Sequence, residues 1–299
     1  MISILMPVRG DAPFLFHAIK SLSESTLKPS EILIIDDGIS ENQLIELKNW
    51  NFDLNLKVIK NKGVGLVSAL NTGLDLADNE LIARLDSDDM VYKNRLELQY
   101  NFLRISPEVM VVGSQVTYID QDNKILGKSA YPPESINNDK RFKNSCLIAH
   151  PSVMYRKNAI SKVGGYREVA KIGSTSLCED FDLWKRVATQ GELVNMTDEL
   201  TFYRQHPAQL SNKFRYAQEL ATLFVESEAF DNSNIKFEIL ELGHINLEDQ
   251  IKKSISSLPK KQIYKFYIYS KLIRNDTRFK TVKVKLGIFS IKLMNFVKK

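Results

Sequence analysis

The sequence predicts an α/β fold: a mostly parallel central sheet flanked by helices, followed by a C-terminal helical extension. Short apolar runs alternate with stretches of helical spacing through the first hundred residues. That alternation implies parallel strands joined by right-handed crossovers. Three of the runs end in polar clusters, Asp36-Asp37, Asn61–Gly65 and Asp86–Asp89. In open sheets of this kind, ligands sit at the carboxyl ends of the strands.

Residues 2–8 form an apolar run ending in Pro7, read as the first strand. A helix then starts at Asp11-Ala12-Pro13 and places Phe14, Leu15, Ala18, Ile19 and Leu22 on one face. Residues 31–35 are read as a second strand. Ser40 with Gln43 three residues on reads as a capping box, opening a helix to about Trp50. A third strand over 56–59, a helix through Leu70 to Leu76 and a fourth strand over 81–85 complete the alternation. After a helix around 92–104 the expected elements are short strands at 109–113 and 115–119 and a loop over 127–144. Then come a strand at 152–155, a turn at Gly164-Gly165-Tyr166, a helix over 179–189 and a last strand at 200–204. From Asn212 the pattern is mainly helical, with Pro259 placed as a first-turn residue. The expected division is a domain over 1–211 and a helical region over 212–299.

The most informative stretch is the fourth strand and its end, Leu81-Ile82-Ala83-Arg84-Leu85 followed by Asp86-Ser87-Asp88-Asp89. Three carboxylates packed into one loop repel unless something positive lies among them. Carboxylate oxygens suit a hard divalent cation, and Mg²⁺ or Mn²⁺ usually shares them with substrate phosphates. The sequence therefore points to a metal–diphosphate site. Arg84 is expected to meet an aspartate or a phosphate, because an unpaired buried charge is costly.

The composition, 43% apolar and 26% charged, fits a globular protein. Cys146 and Cys178 show no metal spacing and are read as reduced thiols of a cytosolic protein. Residues 1–8 are too short for a signal peptide, and no apolar run reaches the ~18 residues that span a bilayer. The net charge of +5 is unevenly spread: residues 252–299 hold 14 Lys/Arg against Asp276 alone, a balance of +13, which leaves −8 for residues 1–251. In the tail Val282, Leu286, Phe289, Leu293 and Phe296 recur at helical spacing among lysines. Such a segment either lies in an anionic membrane interface or packs its apolar stripe on the body. Lysine attraction to anionic lipid favours the membrane, and no nucleic-acid motif accompanies the charge.

Taken together, Ile4–Arg9, Ile34–Gly38, Asn61–Gly65 with Ala69–Gly73, Arg84–Asp89, Gly164–Tyr166, Cys178–Trp184 and Tyr203–His206 resemble family 2 glycosyltransferases of the GT-A fold. The resemblance covers roughly residues 1–211; each motif is weak alone, and their order and spacing make the set. It implies an inverting, metal-dependent, non-processive transfer from a UDP-sugar to a glycan or lipid-linked acceptor. Asp37 would meet the uracil, with Pro7, Arg9, Lys62 and Asp86 on the donor nucleotide. Asp88 and His206 would hold Mn²⁺ or Mg²⁺, and Asp180 would be the catalytic base. His150, Glu179 and Trp184 are candidates for the acceptor side, although His150 also reads as a structural residue and Trp184 as core. By analogy, such an enzyme would work from the cytoplasmic face of the membrane in lipopolysaccharide or capsule assembly.

Two enzyme alternatives fit less well. A sugar nucleotidyltransferase opens with a glycine-rich loop after the first strand, where Pro7–Ala12 holds one glycine. A processive synthase adds membrane spans and a Gln-x-x-Arg-Trp motif, which this sequence lacks. A non-catalytic nucleotide-sugar or glycan-binding protein would not need Asp180 and the Asp86–Asp88 pair together.

Overall fold

A computed structural model describes residues 1–50, 53–142, 145–172, 175–207, 209, 215–226 and 237–239. The chain divides into two units: Met1–Tyr166 with Leu183–His206, and Arg167–Asp182 with Pro207–Lys299. The basic tail and the Pro259 helix start lie outside the described residues.

The first half of the first unit follows the predicted alternation: β1 (Ile2–Gly10), α1 (Leu15–Ser23), β2 (Glu31–Ile39), α2 (Glu41–Asn49), β3 (Leu56–Lys60), α3 (Leu66–Leu76) and β4 (Leu81–Arg84). β5 (Met90–Val91), α4 (Arg95–Ile105), β6 (Val109–Ile119), β7 (Ile125–Lys128), β8 (Glu134–Ser135), β9 (Met154–Arg156) and α5 (Lys157–Lys162) follow. Two strands of the second unit, β10 (Ala170–Ile172) and β11 (Thr175–Leu177), and α6 (Glu179–Val187), which crosses the unit boundary, precede β12 (Glu192–Arg204). α7 (Arg215–Glu226) and β13 (Phe237–Ile239) belong to the second unit, where β13 and β11 flank β10.

The main sheet runs β3-β2-β1-β4-β9-β6-β12-β5. β3, β2, β1 and β4 are parallel, as are β6 and β12; β9 lies antiparallel between the two groups. Both faces are covered, so the strands read as near-continuous apolar runs. Ile2, Ile4, Met6 and Val8 of β1 face α1, with Leu15, Ala18, Ile19 and Leu22, and Leu96 and Leu103 of α4. Leu5 faces the opposite core with Leu33, Ile35, Ala69, Leu70, Ile160, Leu183 and Trp184. Helix α3 lies close to β1 at Gly73, where a Cβ would stand 2.0 Å from Leu5 Cδ1.

The structure corrects several expected boundaries. β2 runs through Asp36-Asp37-Gly38, because Asp36 Oδ1 accepts the N–H groups of Gly38 (2.8 Å) and Ile39 (2.7 Å) and the β1–β2 pairing resumes at Gly10↔Ile39 beyond a bulge. Residues 109–119 form one strand rather than two. Gly113 marks a close approach there, since a Cβ would lie 2.4 Å from Ile148 and 2.6 Å from Asn195. β7 runs into the expected loop over 127–144 and β8 lies within it, and β12 begins at Glu192, well before Leu200. His150–Ser152 is a 3₁₀ turn ahead of β9. The capping box is half formed: Ser40 Oγ accepts Gln43 N–H at 3.4 Å, while the Gln43 side chain instead bonds Ala12 N and O.

The ladder geometry explains how the carboxylate loop leaves the sheet. The last β1–β4 pair is Leu5↔Arg84, and Leu85 N–H still reaches Leu5 O at 3.2 Å. Two residues further on, Pro7 has no N–H to extend that ladder. Asp86–Asp89 therefore turn away, and the chain re-enters the sheet as β5 against β12.

Candidate functional site

Asp86, Asp88 and Asp89 each offer a carboxylate oxygen, and these atoms lie within 4.8 Å of one another. Arg84, 4% exposed in its side chain, pairs with Asp86. Burial opposes the Arg84 charge, but Asp86, then Tyr166 and Asp89, raise its pKa. Asp89 is fully buried. Burial first, then Asp88 and Asp86, push its carboxyl well above the ordinary range, against the pull of Arg204 N–H and Arg84. Asp89 Oδ1 accepts Arg204 N–H at 2.8 Å, and Oδ2 has no hydrogen-bond partner among the described residues. Asp88 Oδ2 lies 2.9 Å from His206 Nε2. The structure thus brings together the expected metal residues Asp88 and His206 with Asp86 and Asp89.

On the β1–β3 side, Asp37 is turned inward. Its oxygens accept Gly65 N–H at 2.9 and 3.1 Å and Asn61 Nδ2 at 2.7 Å, and Arg9 Nε stands 3.9 Å away. Asn61 Oδ1 in turn accepts from Gly63 N, Ser68 Oγ and Thr72 Oγ1. Gly65, at φ +88, caps α3 in a conformation that favours glycine. Asp37 therefore fixes the 61–65 loop to the end of β2. Neighbouring Asp36 is opposed by burial, yet two backbone N–H groups and Lys60 hold its pKa below the ordinary value. Lys62 projects outward and pairs with Asp75 at 3.0 Å. Pro7 and Arg9 lie at the carboxyl end of β1.

Of the expected acceptor-side residues, His150 and Trp184 lie in the core. His150 Nε2 is 3.0 Å from Tyr166 Oη, and the His150 ring meets Trp184 edge-on with centroids 5.7 Å apart. Burial, and secondarily the Arg84 charge, lower the His150 pKa well below its ordinary value, so the ring is neutral at pH 7. Trp184 is 0% exposed. Glu179 and Asp180 lie in the second unit, at the start of α6. Asp180 Oδ1 accepts Phe181 N–H at 2.7 Å, and Asp182 forms a bidentate pair with Arg167.

Sequence reasoning missed a buried strut behind the loop. Arg95 Nη2 donates to Arg84 O (2.8 Å) and Val153 O (3.2 Å), while Gln99 Nε2 donates to Ser152 O (2.7 Å) and Val112 O (3.2 Å). Arg95 Nε donates to Gln99 Oε1 at 3.2 Å. These side chains serve carbonyls where β4 and β6 separate around β9. Burial pulls the Arg95 guanidinium down to about 9, with Asp89 pulling the other way. The available signal was an Arg–Gln pair at i, i+4 among the apolar positions of α4.

Residues 3–164 match the family described as Glycosyl transferase family 2. The chain is a family 2 glycosyltransferase. One relative of this transferase, the UDP-Gal:alpha-D-GlcNAc-diphosphoundecaprenol beta-1,3-galactosyltransferase of Escherichia coli, is 33% identical over 193 residues, covering 63% of this chain and 68% of the relative. The O-antigen biosynthesis glycosyltransferase WbnJ of Escherichia coli is 31% identical, with 69% of this chain and 80% of WbnJ covered. Among solved structures, residues 1–349 of S. aureus TarS in complex with UDP superpose with a TM-score of 0.65 at 16% identity, covering 99% of this chain and 89% of that one. That likeness shows a shared GT-A fold.

The Asp37 contacts give the transferase a testable brace. A hydrogen bond to a charged group contributes roughly 1.5–3 kcal/mol. Asp37→Ala is expected to speed exchange of the Gly65 amide by about 10-fold or more while the β1 and β2 amides keep their protection. Hydrogen-exchange mass spectrometry checks this, and an unchanged Gly65 rate contradicts the brace.

Proposed function

We propose that this glycosyltransferase moves a hexose or N-acetylhexosamine from a UDP-sugar to a glycan or lipid-linked acceptor, with inversion and without processivity, in bacterial surface polysaccharide assembly. The observation that carries the reading is the three-carboxylate loop at the end of β4. Its oxygen donors, and the buried Asp89 Oδ2 that has no hydrogen-bond partner among the described residues, fit a hard divalent cation, Mn²⁺ or Mg²⁺. Asp88 would hold the ion with His206, and Asp86 would contact the donor nucleotide. A bound ion would supply positive charge against the leaving diphosphate. The donor reading is supported by the UDP-Gal-dependent relative and by the UDP-bound structural neighbour. The acceptor and pathway reading is supported by the diphosphoundecaprenol acceptor and the O-antigen role that the two relatives' names state.

In this reading Asp37, Pro7, Arg9 and Lys62 frame the nucleoside side. Asp180 takes the proton of the acceptor hydroxyl as its oxygen bonds to the anomeric carbon and the bond to the diphosphate breaks. Glu179 supports the acceptor side. Loss of a general base costs about 10²–10⁴ in rate. Asp180→Asn is therefore expected to lower turnover by that factor with donor affinity nearly unchanged, measured against a panel of UDP-sugars with Mn²⁺ and with EDTA. Turnover within a few fold of wild type would remove Asp180 from the role. Equal rates in Mn²⁺ and EDTA would remove the ion.

The catalytic part is placed in residues 1–211, with 212–299 as an appended region that brings the enzyme to the inner face of the cell membrane. Among the described residues no helix is long and apolar enough to cross a membrane. The tail's +13 balance and apolar stripe support an anionic surface as the partner. Deleting residues 276–299 should release the protein from anionic vesicles in co-sedimentation. Intact protein should bind less as salt rises, since screening acts over ~10 Å at 0.1 M. Equal binding of both forms rules the membrane role out.

A further inference from the structure

Arg204, at the end of β12, is fully buried beside the carboxylate loop. Its Nε donates to the main-chain carbonyl of Asp88 at 2.8 Å. Its Nη1 donates to the carbonyls of Asp120 at 2.8 Å and Gln121 at 3.3 Å, just past the end of β6. The guanidinium lies 4.2 Å from the centre of the Phe14 ring, at the start of α1. The Arg204 N–H holds Asp89 Oδ1, and two residues further on His206 reaches the Asp88 carboxylate. One side chain thus ties the ends of β6 and β12 and the front of α1 to the middle of the loop that leaves β4.

Backbone pairing leaves this task open. In the sheet order β9 and β6 separate β4 from β12, so no ladder joins the end of β4 to the end of β12. The pairing of β5 with β12 resumes only at Met90, beyond the three carboxylates. Among the described residues, the Asp89 N–H to Asp86 O turn at 3.3 Å and Arg204 hold the main chain between Leu85 and Met90. Carboxylates this close push apart, so a loop left to itself would relax away from the arrangement that presents Asp88 beside His206.

We propose that Arg204 is the positioning residue of the carboxylate loop. Its guanidinium fork, braced on the Phe14 ring, fixes the Asp88 main chain so that the Asp88 carboxylate and His206 stay aimed at one cation. This rests on the divalent-ion reading given above. The geometry needs arginine: a planar fork donates in two fixed directions and stacks on an aromatic face, whereas a lysine ammonium is a single point charge on a flexible stem. Outer groups that orient metal ligands are worth about 10–100-fold in metal affinity.

The test uses the full chain with Arg204→Lys and Phe14→Leu. Mn²⁺ binding without nucleotide is followed by electron paramagnetic resonance of the free ion. UDP binding is measured by calorimetry in Mn²⁺ and in EDTA, and thermal unfolding reports the fold. Arg204→Lys is expected to weaken Mn²⁺ binding about 10-fold or more and Phe14→Leu less, in the same direction. UDP affinity in EDTA and the unfolding midpoint should stay near wild type. Unchanged Mn²⁺ affinity in folded Arg204→Lys overturns the proposal, and so does a parallel fall of Mn²⁺ binding and EDTA-resistant UDP binding, which marks a general structural role. Should Arg204→Lys not fold, Phe14→Leu decides by the same criteria. Wild-type protein that binds Mn²⁺ but not UDP refutes the donor reading alone, and the Mn²⁺ comparison still decides the role of Arg204. Wild-type protein that binds no Mn²⁺ overturns both.

Discussion

Mutual repulsion of three carboxylates at the end of one strand is the constraint around which the rest of this molecule is arranged. Asp86, Asp88 and Asp89 offer oxygens within 4.8 Å of one another, a costly arrangement without positive partners. Arg84 pairs with Asp86, Arg204 donates its Nε–H to the Asp88 carbonyl and its main-chain N–H to the Asp89 carboxyl, and His206 meets the Asp88 carboxylate. Two of these partners come from the end of β12, more than a hundred residues further along the chain. The loop therefore depends on the whole sheet being assembled, and the charge that makes the site useful is tolerated only in the finished fold.

The sheet itself carries a discontinuity at this point. β9 enters antiparallel between β4 and β6, and past Val153 the two strands part. The carbonyls left where the strands separate are met by Arg95 and Gln99 from α4 rather than by a neighbouring strand. Buried polar groups need such partners. A side-chain strut provides them and leaves the carboxyl ends of β4 and β6 free to carry different loops. On the other side of β1, Asp37 and Asn61 tie the 61–65 loop to β2 through hydrogen bonds that leave Arg9 and Lys62 facing outward.

The sequence made the first four strands, their helices and the acidic loop legible because each is local: apolar runs set against helical periodicity, and three aspartates in four residues. It also singled out Asp88 and His206, 118 residues apart, whose side chains lie 2.9 Å from one another in the structure. What stayed hidden has long-range causes. Gly113 reads as a strand break but marks the close approach of Ile148 and Asn195, and β7 and β8 are fixed by their partners β6 and β12 rather than by their own propensity. Asp37 stands in the sequence as an acid for the uracil, yet its carboxylate accepts the Gly65 amide, 28 residues away, and the Asn61 side chain. Arg204 sat within a recognised motif, but its contacts to Asp88, Asp120 and Phe14 join segments that no spacing rule connects.

The central claim is that the β4 loop is a divalent-cation site serving a nucleotide diphosphate. Crystals grown with Mn²⁺ and UDP, with diffraction recorded at the manganese absorption edge, test it most directly. The account predicts an anomalous peak at coordination distance, about 2–2.5 Å, from the Asp88 carboxylate and beside His206, with diphosphate oxygens on its open side. Bound UDP with no peak at that loop, or a peak held by other residues, would contradict it.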